Sequence, residues 1–294
     1  FVLTTNHNEA TFMKRYTNLL LRAAVVLSLI SSAQVLLAQG LMVNPKRIML
    51  DDRKRNDVVT LFNTGDDTSS YIISFKHFEM LPDGAFKDVD TSVRNYVTAD
   101  SMLRFFPLEV TLAPHESQTI KVRFMKPKDL AVGEYRSHLY FRSIDRTQSL
   151  EQKQSDTAKT ISLSLHPIFG LTIPLIVRNG TIPAKVGLDG MTLSPIDTAG
   201  KVIVTASIHR SGDESCYGTF VLDYLNSDGK VTELTALKGV AVYAPLTSRT
   251  VKLQFKIPDG VDMTTGTLRL EYQTLTDNPK ETTLASAELP LKKG

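Results

Sequence analysis

The sequence predicts an all-β protein built from two immunoglobulin-like β-sandwich domains in series. Short segments in which apolar and polar residues alternate recur along the chain, turn residues separate them, and no long helical period appears from residue 41 onward. The chain of 294 residues suits two domains at roughly 100–200 residues each. Its 42% hydrophobic content is enough for two buried cores.

Residues 1–12 precede a natural initiator at Met13 and are read as an upstream extension. Met13-Lys14-Arg15 and Arg22 are followed by the apolar stretch Ala23–Ile30, small residues at Ser31–Ala33, and Val35-Leu36-Leu37-Ala38. A basic start, a short apolar core and a small-residue exit describe a secretory signal peptide over residues 13–38, cut after Ala38 or, second, after Ala33. The apolar run is shorter than the roughly 20 residues that cross a bilayer, so the mature protein is expected to be exported without membrane insertion.

The first domain is expected over residues 41–178. Tyr71, Ile73 and Phe75 share one face of a strand, Leu108, Val110 and Leu112 one face of another, and Ile120, Val122 and Phe124 one face of a third. Ala113–Ser117 has hairpin length between the last two, and Pro82-Asp83-Gly84 is a turn signal. The pattern stops near Arg178-Asn179-Gly180, and the second domain, 179–294, follows with strand segments at 202–204, 219–222, 240–243, 251–255 and 268–272. Asp228-Gly229 and Asp259-Gly260 are the turns between them.

Charge and composition exclude several functions. Without residues 1–38 the net charge falls from +3 to +1, which gives no electrostatic footprint for nucleic acid. The single cysteine, Cys216, excludes an internal disulfide and reads as a reduced, partly buried thiol. The six histidines have no ligand-like spacing, so no metal and no cofactor is expected. No nucleophile elbow, phosphate-cradling loop or dinucleotide fingerprint is present. The pairs Asp51-Asp52 and Asp66-Asp67 suit solvated turns better than glycosidase chemistry, and Asn179-Gly180-Thr181 fits a linker turn as well as a glycosylation acceptor. An enzyme is not expected.

The segment 161–173 carries the most information. Ile161, Leu163 and Leu165 alternate with serines, and the same parity resumes at Phe169, Leu171 and Ile173. A strand over 161–173 would be longer than usual and would hold Pro167, which suits an edge position. A long apolar edge can be a docking surface to which a partner adds a strand, or the row can face the domain's own core. The pattern alone allows both.

Asn44-Pro45-Lys46-Arg47-Ile48, Val58–Asn63, Phe106-Pro107 with Leu112-Ala113-Pro114, Gln118–Val122 and Gly133–Leu139 occur in one order. As a set they resemble the N-terminal domain of the PapD-like periplasmic pilus chaperones. His209–Gly212 and Val240–Pro245 resemble the C-terminal domain more weakly. The resemblance implies a periplasmic chaperone that binds pilus or fimbrial subunits by donating an edge strand, with an outer-membrane usher as a further partner. It places Arg47 at the arginine that anchors the subunit's terminal carboxylate, and Ile161, Leu163 and Leu165, with Phe169 continuing the row, at the donor positions. It also expects a lysine on the last strand, and counting forward from the donor row puts Gly170 there, a departure that leaves the usual two-cation clamp incomplete. A surface-fibre subunit or adhesin, and a carbohydrate-binding β-sandwich, are the alternatives. The immediate entry into a strand at Leu41 weighs against the first, and the absence of Trp against the second.

Overall fold

The computed structural model describes residues 40–90, 98–144, 168–274 and 282–291. Eleven strands come first: β1 (Leu41–Asn44), β2 (Ile48–Leu50), β3 (Asn56–Asn63), β4 (Ser69–Lys76), β5 (Phe78–Met80), β6 (Phe86–Asp88), β7 (Leu103–Phe106), β8 (Glu109–Leu112), β9 (Ser117–Phe124), β10 (Gly133–Ile144) and β11 (Gly170–Asn179). Seven follow: β12 (Lys185–Leu193), β13 (Lys201–Ser211), β14 (Cys216–Leu225), β15 (Val231–Val242), β16 (Ser248–Lys256), β17 (Thr267–Thr274) and β18 (Thr283–Pro290). The described residues contain no α-helix, only a single 3-10 turn at Asp100–Met102.

The first sandwich packs the sheet β1-β3-β9-β7 on the sheet β2-β11-β10-β4-β8. The second packs β12-β13-β16 on β15-β14-β17-β18. These are immunoglobulin-type strand orders. Alternation creates both cores. Val59 and Leu61 of β3, Ile120, Val122 and Phe124 of β9, Leu139 and Phe141 of β10, and Leu175 and Val177 of β11 are buried between the first pair of sheets. Val202, Val204, Phe220, Leu222, Leu253, Leu270 and Tyr272 fill the second.

Two expectations are corrected by the sheet topology. Ala113–Ser117 is not a hairpin turn: β8 pairs with β4 and β9 with β3, so the chain crosses there from one sheet to the other. Both strands face the same core, so their inward rows read alike in either arrangement. Leu108 lies before β8 beside Pro107 and is 61% exposed, although its carbonyl still accepts the Ile73 N–H at 2.8 Å.

Of the strand expected over 161–173, the described residues show β11 from Gly170, after Ile168 and Phe169, running past 173 through Pro174 to Asn179. Residues 161–167, with Ile161, Leu163, Leu165 and Pro167, lie outside the described residues, as does the stretch 1–39.

The sandwiches are joined by Gly180–Ala184, where Gly180 takes a left-handed conformation at φ 59°. They also share a small apolar core: Met80 and Ile176 from the first meet Ala241 and Tyr243 from the second, with Met49, Tyr217 and Leu246 packed around them. The β5–β6 hairpin reaches across to this seam, and its Pro82 carbonyl accepts the Thr250 N–H at 2.8 Å.

Candidate functional site: an open strand edge leading to a basic cleft

The chain changes sheets at Pro45–Lys46. β1 runs antiparallel to β3, whereas β2 runs parallel to β11 with Ile48, Met49 and Leu50 opposite Leu175, Ile176 and Val177. β2 therefore covers only the second half of β11. Among the described residues no strand pairs with Gly170–Pro174 on that side.

The backbone of this open half has a definite parity. The Ser143 N–H donates to the Phe169 carbonyl at 2.8 Å, and β10–β11 pairing continues from there with Arg142 opposite Gly170. Hydrogen bonding alternates along an antiparallel pair, so odd residues of β11 bond to β10 while Gly170, Thr172 and Pro174 direct their backbone groups to the free edge. Pro174 has no N–H to lose there, which is why an internal proline is tolerated. Leu171 and Ile173 turn inward to the core. Ile168 and Phe169, 61% and 41% exposed, stand at the head of the edge, with the Phe169 N–H held by Ser143 Oγ at 2.8 Å.

The foot of the edge opens into a cleft of about 920 Å³ between the sandwiches, lined among others by Lys46, Arg47, Arg178, Glu214 and Tyr217. Arg47 is half-buried here. Its guanidinium lies 4.2 Å from the centre of the Tyr217 ring, from the second sandwich, and Nη2 donates to Met49 Sδ at 2.8 Å. Its Nε is buried with no hydrogen-bond partner among the described residues. The last pairing, Leu175 with Ile48, puts Pro174 level with Arg47, while Gly170 lies four positions back along β11. A side chain at Gly170 would collide with the Tyr140 ring.

Behind the cleft a polar network ties the sandwiches together. The Glu134 carboxylate, almost fully buried, accepts from Arg178 Nε at 3.0 Å, from the Ser215 N–H at 2.9 Å and from the Ser215 hydroxyl. Arg178 also pairs with Glu214 at 2.7 Å and donates to the Ser215 carbonyl at 3.0 Å. On the far side of β11, Arg136 lies 4.2 Å from the Tyr243 ring centre and donates to the Phe78 carbonyl at 3.1 Å. His138 packs edge-on against Phe78 and Phe86, and its Nδ1 is buried without a hydrogen bond among the described residues. Burial, then the nearby charges of Arg136 and His77, push its pKa down to about 3.

Of the residues singled out from sequence, the structure brings Arg47 into the cleft and Phe169 to the head of the open edge. Tyr217 and Ser215 carried no mark in the sequence, and Glu134 stood only inside the Gly133–Leu139 run, because their role depends on two domains meeting. Cys216 is buried at the cleft, and burial raises its thiol pKa. Among the described residues no group of three His, Cys, Asp or Glu could hold a metal, and no helix is long and apolar enough to cross a membrane.

Fold and site together define a tandem immunoglobulin-like protein with a half-open last strand running into a basic interdomain cleft. Solved structures similar to the chain include the YadV chaperone, at 12% identity over 85% of this chain and 99% of that one, TM-score 0.42. They also include the Pseudomonas aeruginosa CupB2 chaperone, at 10% identity over 85% and 100%, TM-score 0.41. A third is the Salmonella enterica SafA pilin in complex with the SafB chaperone, at 12% identity over 86% and 97%, TM-score 0.39. No family model and no curated protein matches the chain.

Proposed function

We propose that this protein is a periplasmic chaperone that binds and stabilises subunits of a pilus or other surface fibre by presenting the open edge of β11 and its N-terminal approach. The observation that carries the reading is the half-strand Gly170–Pro174, left uncovered among the described residues, which ends where Lys46 and Arg47 begin. β2 already occupies the next stretch of the edge in parallel, so a client strand seated on Gly170–Pro174 in the same direction delivers its C-terminal carboxylate to Arg47. An antiparallel client would bring an ammonium group there and meet like charge. The guanidinium offers a carboxylate two donors and keeps its charge when half-buried.

Ile161, Leu163 and Leu165, with Phe169, would fill the client's apolar groove. Binding then draws on backbone pairing and apolar burial, at about 25 cal/mol per Å² removed from water, with no nucleotide or metal. Export by the 13–38 segment would place the protein where fibre subunits fold, and an outer-membrane usher would be the recipient of the complex. The fibre-subunit reading is weaker, because each sandwich carries its own last strand, β11 and β18, and neither needs one lent.

The test is Thr172→Pro. Its lost N–H faces the free edge, so the free protein should melt as the wild type does, while co-expressed pilus subunits should no longer co-purify. Retained complex with an unaltered melting temperature would overturn strand addition at this edge.

A further inference from the structure

Three cations line the cleft, and they differ in what already holds them. Each guanidinium nitrogen of Arg178 is engaged: Nε with Glu134 at 3.0 Å, Nη1 with Glu214 at 2.7 Å and Nη2 with the Ser215 carbonyl at 3.0 Å. Arg47 is oriented by Tyr217 and Met49 but keeps a buried Nε without a partner among the described residues. Lys46 is exposed and has no ion pair among the described residues. The carboxylates of Glu134 and Glu214 are both held by Arg178, so Arg47 and Lys46 are left without a paired carboxylate among the described residues, and the cleft is electrostatically suited to an added anion.

We propose that Lys46 supplies the second cation of the carboxylate site, in place of a lysine on the last strand. This rests on the function proposed above. The geometry favours it over any residue of β11: the position level with Arg47 is Pro174, Gly170 is four residues away, and neither carries charge. Lys46 and Arg47 instead sit together at the sheet change, at the end of the free edge, where a parallel client strand would terminate. Arg47 would then give fixed, directional donors, and Lys46 a mobile ammonium that closes over the outer oxygen. The ligand class is the free α-carboxylate of an extended chain, and an internal loop would not satisfy the site.

The experiment compares a short synthetic peptide of alternating valine and threonine, with a free C-terminal carboxylate, against its C-terminal amide, by calorimetric titration of the protein. The acid should bind about ten-fold more tightly than the amide. Lys46→Gln should cut that preference about five-fold without changing amide affinity, and Lys46→Arg should keep it. A preference that vanishes in Arg47→Ala but is untouched in Lys46→Gln overturns the role of Lys46 and leaves the Arg47 anchor standing. A wild-type protein that binds acid and amide alike, or neither, overturns the anchor and this inference with it.

Discussion

Glu134 and Ser215, on different sandwiches, are joined twice: the Ser215 N–H donates to Oε2 at 2.9 Å and its hydroxyl to Oε1. Ser215 Oγ in turn accepts the Ala244 N–H at 2.9 Å, and Arg178 closes the network from the end of β11. The wall of the cleft is therefore fixed to the strand that offers the edge. Domain orientation and edge geometry are set by one group of residues.

Glu134→Ala leaves Arg178 Nε and the Ser215 N–H without their buried acceptor, while Arg178 keeps Glu214. Leaving such donors unsatisfied costs about 1–3 kcal/mol. Scanning calorimetry should show a lowered and broadened transition as the sandwiches uncouple, whereas a single wild-type-like transition would mean the network carries little of the coupling.

Arg47→Ala should leave the fold intact, since Arg47 makes no ion pair among the described residues, but weaken client binding by about 2–5 kcal/mol. Surface-bound client titrated with each variant would measure this. Equal affinities would show that Arg47 occupies the position without the function.

Leu163→Arg should abolish the client complex by bringing a charge to an apolar groove, with little change in the melting temperature of the free protein. If the free protein instead melts many degrees lower, Leu163 belongs to the first sandwich's own core and the donor role fails for that residue.

His138 makes stability fall with acidity. Its folded pKa, about 3, lies below the ordinary value of 6.5, so between those limits the unfolded chain binds a proton that the folded chain refuses. Stability is full above about pH 6.5 and declines as pH drops towards 3, by at most about 1.4 kcal/mol per pH unit. His138→Leu should flatten this limb in urea denaturation followed across pH 4–7. An unchanged slope would assign it to other groups.

The strand rows were legible because burial follows parity: Tyr71 and Ile73 are buried while Ile72 and Ser74 face out, as alternation requires. Sheet membership was not legible. The inward rows of β8 and β9 read the same whether the strands pair or face each other, and only long-range partners decide it. Arg47 could be singled out because it belongs to a run of neighbouring residues, Asn44–Ile48. Tyr217 could not, since its contact with Arg47 spans 170 positions of chain. Pro174 was passed over as well, because its harmlessness depends on which edge its missing N–H faces.

The short β2 has one more effect. It acts as an end-stop on the edge: a strand laid along Gly170–Pro174 cannot slide past Leu175, where β2 already holds the pairing groups. A slip of one residue would turn every side chain of a guest strand to the opposite face, so an end-stop is also a ruler. Guests of quite different sequence would share one registration point, measured back from their last residue, and the protein could stay indifferent to their sequence while fixing where they end.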